Sequence, residues 1–283
     1  MPRGESPDPG SASPRAFGPS DARDWIAVPA PEDDKYSRGV LGFITGSERY
    51  PGAAVLGVEA ALRTGVGMVR YLGPGRPARL VLQRRPEAVT ATGRVQAWVL
   101  GSGQDAAERD AVTADLLAAA LAEPVPVVID GGALDLAADA TGPAVLTPHA
   151  GELARVLGGE RDEVLADPAG AVVRAARETG AVVLLKGHRT LVATPDGVRH
   201  EIVAPTTWLA TAGSGDALAG ILGALLATHH TRIDAEPDAV AGLAATACVL
   251  HGLAGERAGG GGPFTVLDLC AALPAVIADL LRG

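Results

Sequence analysis

Residues 209–226 read L-A-T-A-G-S-G-D-A-L-A-G-I-L-G-A-L-L. A Gly-Ser-Gly turn, Gly213, Ser214 and Gly215, runs straight into an apolar, small-residue segment with the pattern of a buried helix. Several backbone N–H groups therefore converge where that helix begins, and unpaired amides at a helix start form an anion hole. Asp216 follows the last glycine and stands at the mouth of the same site. A carboxylate repels the phosphate that the amides attract. Its position makes chemical sense if it takes a proton from a nucleophile attacking that phosphate. An acidic residue favoured by the helix dipole is the plainer reading; the two flanking glycines favour function.

Outward from this stretch, strand and helix patterns alternate. An apolar run at 39–45 ends in Gly46-Ser47, a small-residue helix follows at 53–63, and a second strand at 67–72 completes a β-α-β unit. A strand at 96–100 ends in Gly101-Ser102-Gly103 and leads to a helix over 105–121. The strand at 125–130 ends in Asp130, where a parallel sheet presents its ligand edge. Residues 144–146 run into Thr147-Pro148-His149, with Thr147 suited to the helix cap, Pro148 to the first helical position and His149 to the first turn. A helix over 163–179 precedes the strand 181–185, and Pro195-Asp196-Gly197 centres a hairpin between 191–194 and 198–203. Residues 239–256 and 266–281 have helical apolar spacing. The fold class expected is α/β, a doubly wound, mostly parallel sheet flanked by helices, as one domain over 31–283.

Composition narrows the function. The net charge of −9 argues against a general nucleic-acid binder, which needs a basic surface to displace counterions. It leaves room for an acidic coenzyme in a local pocket. Cys248 and Cys270 are far apart in apolar helical patterns, so neither a disulfide framework nor a metal cluster is suggested, and a cytoplasmic setting is expected. No apolar stretch looks long enough to cross a membrane, and no secretory signal opens the chain. Residues 1 to about 30, rich in Pro, Ser and Gly, read as a flexible tail. Of 24 basic residues only Lys35 and Lys186 are lysines, which singles out both where arginine serves elsewhere.

Five motifs occur in one order: Y-P-G-A-A-V-L (50–56), L-T-P-H-A-G-E (146–152), L-K-G-H-R-T (185–190), A-T-A-G-S-G-D-A-L-A-G (210–220) and H-G-L-A-G-E (251–256). Together they resemble the ADP/ATP-dependent NAD(P)H-hydrate dehydratases, a branch of the ribokinase-like fold, over everything from about Lys35 onward. The resemblance implies repair of hydrated NADH or NADPH (NADHX, NADPHX). A phosphoryl group passes from ADP or ATP to the ring hydroxyl, phosphate is expelled, and bacterial members prefer ADP. It implies Asp216 as catalytic base, Gly213, Ser214 and Gly215 as anion hole, and Lys186, Gly187, His188, Arg189, Thr190 and Gly215 as nucleotide contacts. Ala53, Gly103, His149 and Asp216 match contacts to the hydrated coenzyme. Mg²⁺ is implied by phosphoryl transfer with no ligands identified, and a homo-oligomer is the family tendency. The chain resembles the stand-alone form, without the epimerase domain that some relatives carry.

Alternatives stay open at several residues. His149 also suits a helix cap, Ala53 and Gly103 also suit tight packing, His251 reads as a satisfied core histidine, and Trp208 either lines the pocket or covers the sheet edge. Three departures from the family pattern stand out. Lys35 is followed by Tyr36-Ser37 rather than Gly-Asp. The G-P-G-L-G turn is Gly101-Ser102-Gly103-Gln104-Asp105, and D-A-D-A-L is Asp130-Gly131-Gly132-Ala133-Leu134. All three are expected on the coenzyme side. A small-molecule kinase of the same fold and a non-catalytic nucleotide binder are the competing functions.

Overall fold

The computed structural model of the protein describes residues 14–283. The chain runs β1 (Arg15–Ala16), α1 (Pro19–Arg23), β2 (Val40–Ile44), α2 (Gly52–Thr64), β3 (Met68–Tyr71), α3 (Gly75–Arg84), β4 (Ala97–Leu100), α4 (Ala111–Leu121), β5 (Val127–Ile129) and β6 (Ala144–Leu146). It continues α5 (Ala150–Val156), α6 (Arg161–Ala166), α7 (Pro168–Thr179), β7 (Val182–Leu185), β8 (Arg189–Thr194), β9 (Gly197–Val203), α8 (Ser214–Thr228), α9 (His230–Ala235), α10 (Ala239–Gly259) and α11 (Val266–Arg282). The nine strands form one sheet in the order β1-β9-β8-β7-β6-β5-β4-β2-β3. All pairs from β3 to β7 are parallel, and the expected hairpin β8–β9 adds the two antiparallel pairings.

The strands read as unbroken apolar runs because both faces are covered. Leu41, Phe43, Val99, Val128 and Leu184 point into the core under α2, α8, α10 and α11. Their neighbours Val40, Ile44, Leu100, Ile129 and Leu185 point into a second core under α4, α5 and α7. The successive parallel strands β2, β4, β5, β6 and β7 all end at one edge, where Gly46, Gly101, Asp130, Thr147 and Lys186 follow them. That edge is where an open α/β sheet binds its ligand.

Helix α2 carries a fully buried carboxylate. Glu59 accepts from Arg63 Nε at 2.7 Å, Arg84 Nε at 3.1 Å and Arg85 Nε at 2.6 Å, tying α2 to the end of α3. Burial opposes its charge, yet the hydrogen bonds from Arg85, Arg63 and Arg84 outweigh it and hold the pKa at about 2. Against an ordinary value of 4.5, that depression is linked to about 3 kcal/mol of stability at neutral pH. A depressed carboxylate contributes fully above its unfolded pKa and loses the contribution as pH falls towards the folded one. Glu59→Gln is therefore expected to lower the urea midpoint at pH 7, with the gap to wild type closing between pH 4.5 and about 2.

Several expectations need correction. Residues 15–26 of the expected tail are packed: β1 pairs parallel with β9, Phe17 and Ala22 are buried, and Trp25 packs against the core. Residues 1–13 of that expectation lie outside the described residues. The helix expected over 105–121 is a 3-10 turn, Ala106–Glu108, then α4, because Asp110 caps a fresh start by accepting from Thr113 N. The helix expected over 163–179 breaks at Asp167-Pro168, where the proline opens α7. Helix α10, at mean hydropathy 1.4, is long and apolar enough to cross a membrane by composition, contrary to the sequence expectation. Of its most apolar 18-residue stretch 89% is buried, as in a central helix between sheet and α11.

Candidate active site

A cavity of about 840 Å³ opens at the carboxyl edge of the sheet. Its floor is the start of α8. Gly213 has φ +89° and a side chain there would collide with Leu56, so only glycine makes the turn. Ser214 N–H turns back to the Thr211 carbonyl at 3.3 Å. Among the described residues, the amides of Gly213, Gly215 and Asp216 donate to no other backbone group. The open donors are thus Gly213, Gly215 and Asp216, with Ser214 the most committed of the expected three.

Behind that floor sits a charge cluster. Asp130, at the end of β5, is 5% exposed and accepts from Lys186 Nζ at 2.8 Å, Thr147 Oγ1 at 2.8 Å and Ser102 Oγ at 2.9 Å. Burial alone raises a carboxyl, but Lys186 and the two hydroxyls reverse that and hold Asp130 below its ordinary value. Burial likewise works against the Lys186 ammonium, and the Asp130 and Glu152 carboxylates hold it above its ordinary value. Glu152 Oε2 lies 3.8 Å from Lys186 Nζ. A Cβ on Gly215 would sit 3.4 Å from the same nitrogen, so the ammonium lies against the glycine turn.

Asp216 faces this cluster from α8. Burial first, and the Asp130 charge second, push its pKa up to about 7 against the opposing pull of Lys186. A carboxylate with a pKa near the working pH is suited to general-base chemistry.

His149 corrects the expected cap. Thr147 turns its hydroxyl to Asp130, and His149 itself caps α5, its Nδ1 accepting from Gly151 N at 3.1 Å and Glu152 N at 3.2 Å. Glu152 closes the capping box by accepting from His149 N at 2.8 Å. Because Nδ1 accepts from two N–H groups, the ring proton sits on Nε2, which lies 3.5 Å from Glu152 Oε1. Capping and ligand contact are therefore compatible.

The cavity brings together Gly103, His149, Lys186, Gly187, His188, Thr190, Gly213, Ser214, Gly215 and Asp216. Ala53 is one layer back, where its methyl group fills the space beside Gly103, whose φ is +66°. Arg189 is exposed and pairs with Glu201 at 2.6 Å on the neighbouring strand. Sequence reading placed Asp130 at the ligand edge but missed its partners Ser102 and Thr147, and Glu152 beside Lys186. It also missed the apolar wall of Ile202, Leu209, Leu218 and Cys248.

The departures separate in space. Tyr36 precedes β2 and so lies at the opposite edge of the sheet, with its carbonyl accepting from Gln96 Nε2 at 3.3 Å. It is not on the coenzyme side. Gln104 and Gly132 are coupled: a Cβ on Gly132 would overlap the Gln104 carbonyl and the Asp105 nitrogen. The chain backbone occupies the space that an acidic side chain at position 132 needs.

A family model described as NAD(P)H-hydrate dehydratase matches residues 41–262. The chain belongs to the NAD(P)H-hydrate dehydratase family. It is similar to the bifunctional NAD(P)H-hydrate repair enzyme Nnr of Corynebacterium glutamicum, 39% identical over 90% of this chain and 50% of that protein. The chain thus spans about half the length of such bifunctional relatives. It is also similar to an ADP-dependent (S)-NAD(P)H-hydrate dehydratase of Xanthomonas campestris, 35% identical over 69% of this chain and 74% of that protein. Among solved structures it is similar to an ADP/ATP-dependent NAD(P)H-hydrate dehydratase from Bacillus subtilis co-crystallized with ATP/Mg²⁺. The TM-score is 0.82 at 26% identity, covering 96% of this chain and 100% of that one. The fold of this dehydratase-family chain is ribokinase-like, as its structural neighbours are.

Proposed function

We propose that the chain restores NADH or NADPH from their hydrates by phosphoryl transfer from ADP or ATP to the ring hydroxyl, followed by loss of phosphate. The observation that carries this reading is Asp216, with a pKa of about 7, beside the open amides of Gly213 and Gly215 and the ammonium of Lys186. Asp216 takes the hydroxyl proton as the oxygen attacks the terminal phosphorus of the nucleotide. The P–O bond to the leaving AMP or ADP breaks, and the amides stabilise the charge on the transferred group. The ring C–O bond then breaks to release phosphate, and loss of a proton from the neighbouring ring carbon restores the double bond.

Lys186, Gly187, His188 and Thr190 face the nucleotide side in this reading, with the apolar wall at Ile202, Leu218 and Cys248 suited to a flat base. Gly103 and His149 face the coenzyme, the Nε2–H of His149 serving as donor. Arg189, held by Glu201, and Ala53, behind Gly103, support the walls. Mg²⁺ neutralises donor phosphates in such reactions. Among the described residues no group of three or more His, Cys, Asp or Glu side chains gathers to hold an ion, and both Asp130 oxygens are engaged.

The test mixes purified protein with hydrated NADH, Mg²⁺ and ADP or ATP and follows the near-ultraviolet absorbance of restored dihydronicotinamide. Recovery with one nucleotide supports the reading and names the donor; a stable phosphorylated product without recovery makes the protein a kinase instead. Gly103→Val checks the coenzyme side. The positive φ and the collision with Ala53 and the Tyr50 carbonyl displace that wall. The KM for hydrated NADH is expected to rise about tenfold or more, with ADP affinity unchanged by calorimetry.

A further inference from the structure

His251, in the middle of α10, is 8% exposed and packs against the start of α8, where Ser214 is 6% exposed. Its Nε2 lies 3.0 Å from the Ser214 carbonyl oxygen and 3.0 Å from Ser214 Oγ. A carbonyl oxygen only accepts, so Nε2 carries the proton and donates to it. Burial pushes the imidazole pKa down to about 4, so the ring is neutral at working pH and this N–H is its single donor.

The Ser214 carbonyl belongs to the same peptide plane as the Gly215 N–H. In a planar trans peptide the C=O and N–H point in opposite directions. Fixing the carbonyl therefore fixes the amide. The Gly215 N–H donates to no other backbone group among the described residues and sits in the turn against which Lys186 Nζ packs.

We propose that His251 is a positioning residue for phosphoryl transfer: by holding the Ser214 carbonyl from behind, it aims the Gly215 amide at the transferred phosphoryl group. This peptide opens α8 and has a side chain only on its Ser214 side, so the His251 bond adds to the first helical turn a second constraint on its plane. The kinetic part rests on the proposed dehydration; the geometry of the amide does not.

The experiment compares wild type, His251→Leu, which removes the donor, and His251→Gln, whose amide N–H replaces it. His251→Asn, too short to reach, replaces the leucine variant if that one does not fold. With hydrated NADH and saturating ADP, H251L is expected to lose about tenfold or more in kcat while the KM for ADP stays within about threefold, and H251Q to recover most of the loss. In ¹⁵N spectra the Gly215 amide resonance is expected to shift on saturation with pyrophosphate in wild type and H251Q and to lose that response in H251L. A variant that loses thermal stability but keeps wild-type kcat and the Gly215 response overturns the proposal and leaves His251 a packing residue. If wild type itself turns over no hydrate, the dehydratase reading falls, and the pyrophosphate response alone decides the positioning role.

Discussion

Replacing Asp216 by Asn is expected to cut the turnover of hydrated NADH by about 10²–10⁴-fold while ADP still binds. Asparagine keeps the size and the hydrogen-bonding capacity of the side chain but cannot take a proton at neutral pH. The fold at this point depends on the Gly213 turn and the buried face of α8 rather than on the carboxylate, so the variant should remain folded. Its nucleotide affinity, measured by calorimetry, is expected to hold or to improve, since a negative charge is removed from beside an anion site. The same assignment fixes a pH dependence. A base must be ionised to act, and the Asp216 pKa is raised to about 7, so kcat/KM of the wild type should fall with unit slope below about pH 7. Near-normal turnover in Asp216→Asn, or a profile flat down to pH 5, sinks the base assignment.

The Gly-Ser-Gly-Asp stretch was legible because its chemistry is local. A tight glycine turn and the apolar run behind it are adjacent in sequence, and a helix start follows from them directly. The parallel sheet was legible for a similar reason, since strands covered on both faces read as short unbroken apolar runs such as Val40–Ile44. The N-terminal segment misled because composition averages over residues. Phe17, Ala22 and Trp25 anchor an otherwise polar stretch, and the pairing of Arg15–Ala16 with β9 is made of backbone hydrogen bonds that leave no compositional trace.

The candidate site was half legible. Each motif announced a strand end, yet the contacts that tune the site join distant positions. Asp130 meets Thr147 17 residues on and Lys186 56 residues on, and Ser214 meets His251 37 residues on. No periodicity encodes such pairs. The lysine count was the exception, since one of only two lysines in the chain proved to be the cation of the cavity. His149 shows how two open readings coexist: it caps α5 through Nδ1 while its ring lies in the lining of the cavity.

That cluster yields the second large effect, because Asp130 and Lys186 act on Asp216 with opposite signs. Lys186→Met is expected to move the acid limb of the pH profile above its wild-type position, since the positive charge that restrains the Asp216 pKa is gone. At pH 7 the base is then mostly protonated, the ammonium beside the Gly215 turn is missing, and turnover should fall by about 10²-fold or more. The variant also leaves Asp130 buried without its counter-charge, a loss of about 3–5 kcal/mol of stability if the carboxylate stays ionised. Asp130→Asn is expected to move the limb the other way. It removes the charge that raises Asp216 and releases Lys186 from its 2.8 Å ion pair to approach Asp216 instead. Both consequences lower the pKa of the base. Lys186→Arg should not substitute for wild type, because a planar guanidinium does not fit the compact place that an ammonium takes between Asp130 Oδ1 and the Gly215 backbone. Rate profiles for the three variants between pH 5 and 9 decide the matter. Shifts in the same direction for Lys186→Met and Asp130→Asn contradict a base tuned by this pair, whereas opposite shifts identify Asp216 as the group that the profile reports.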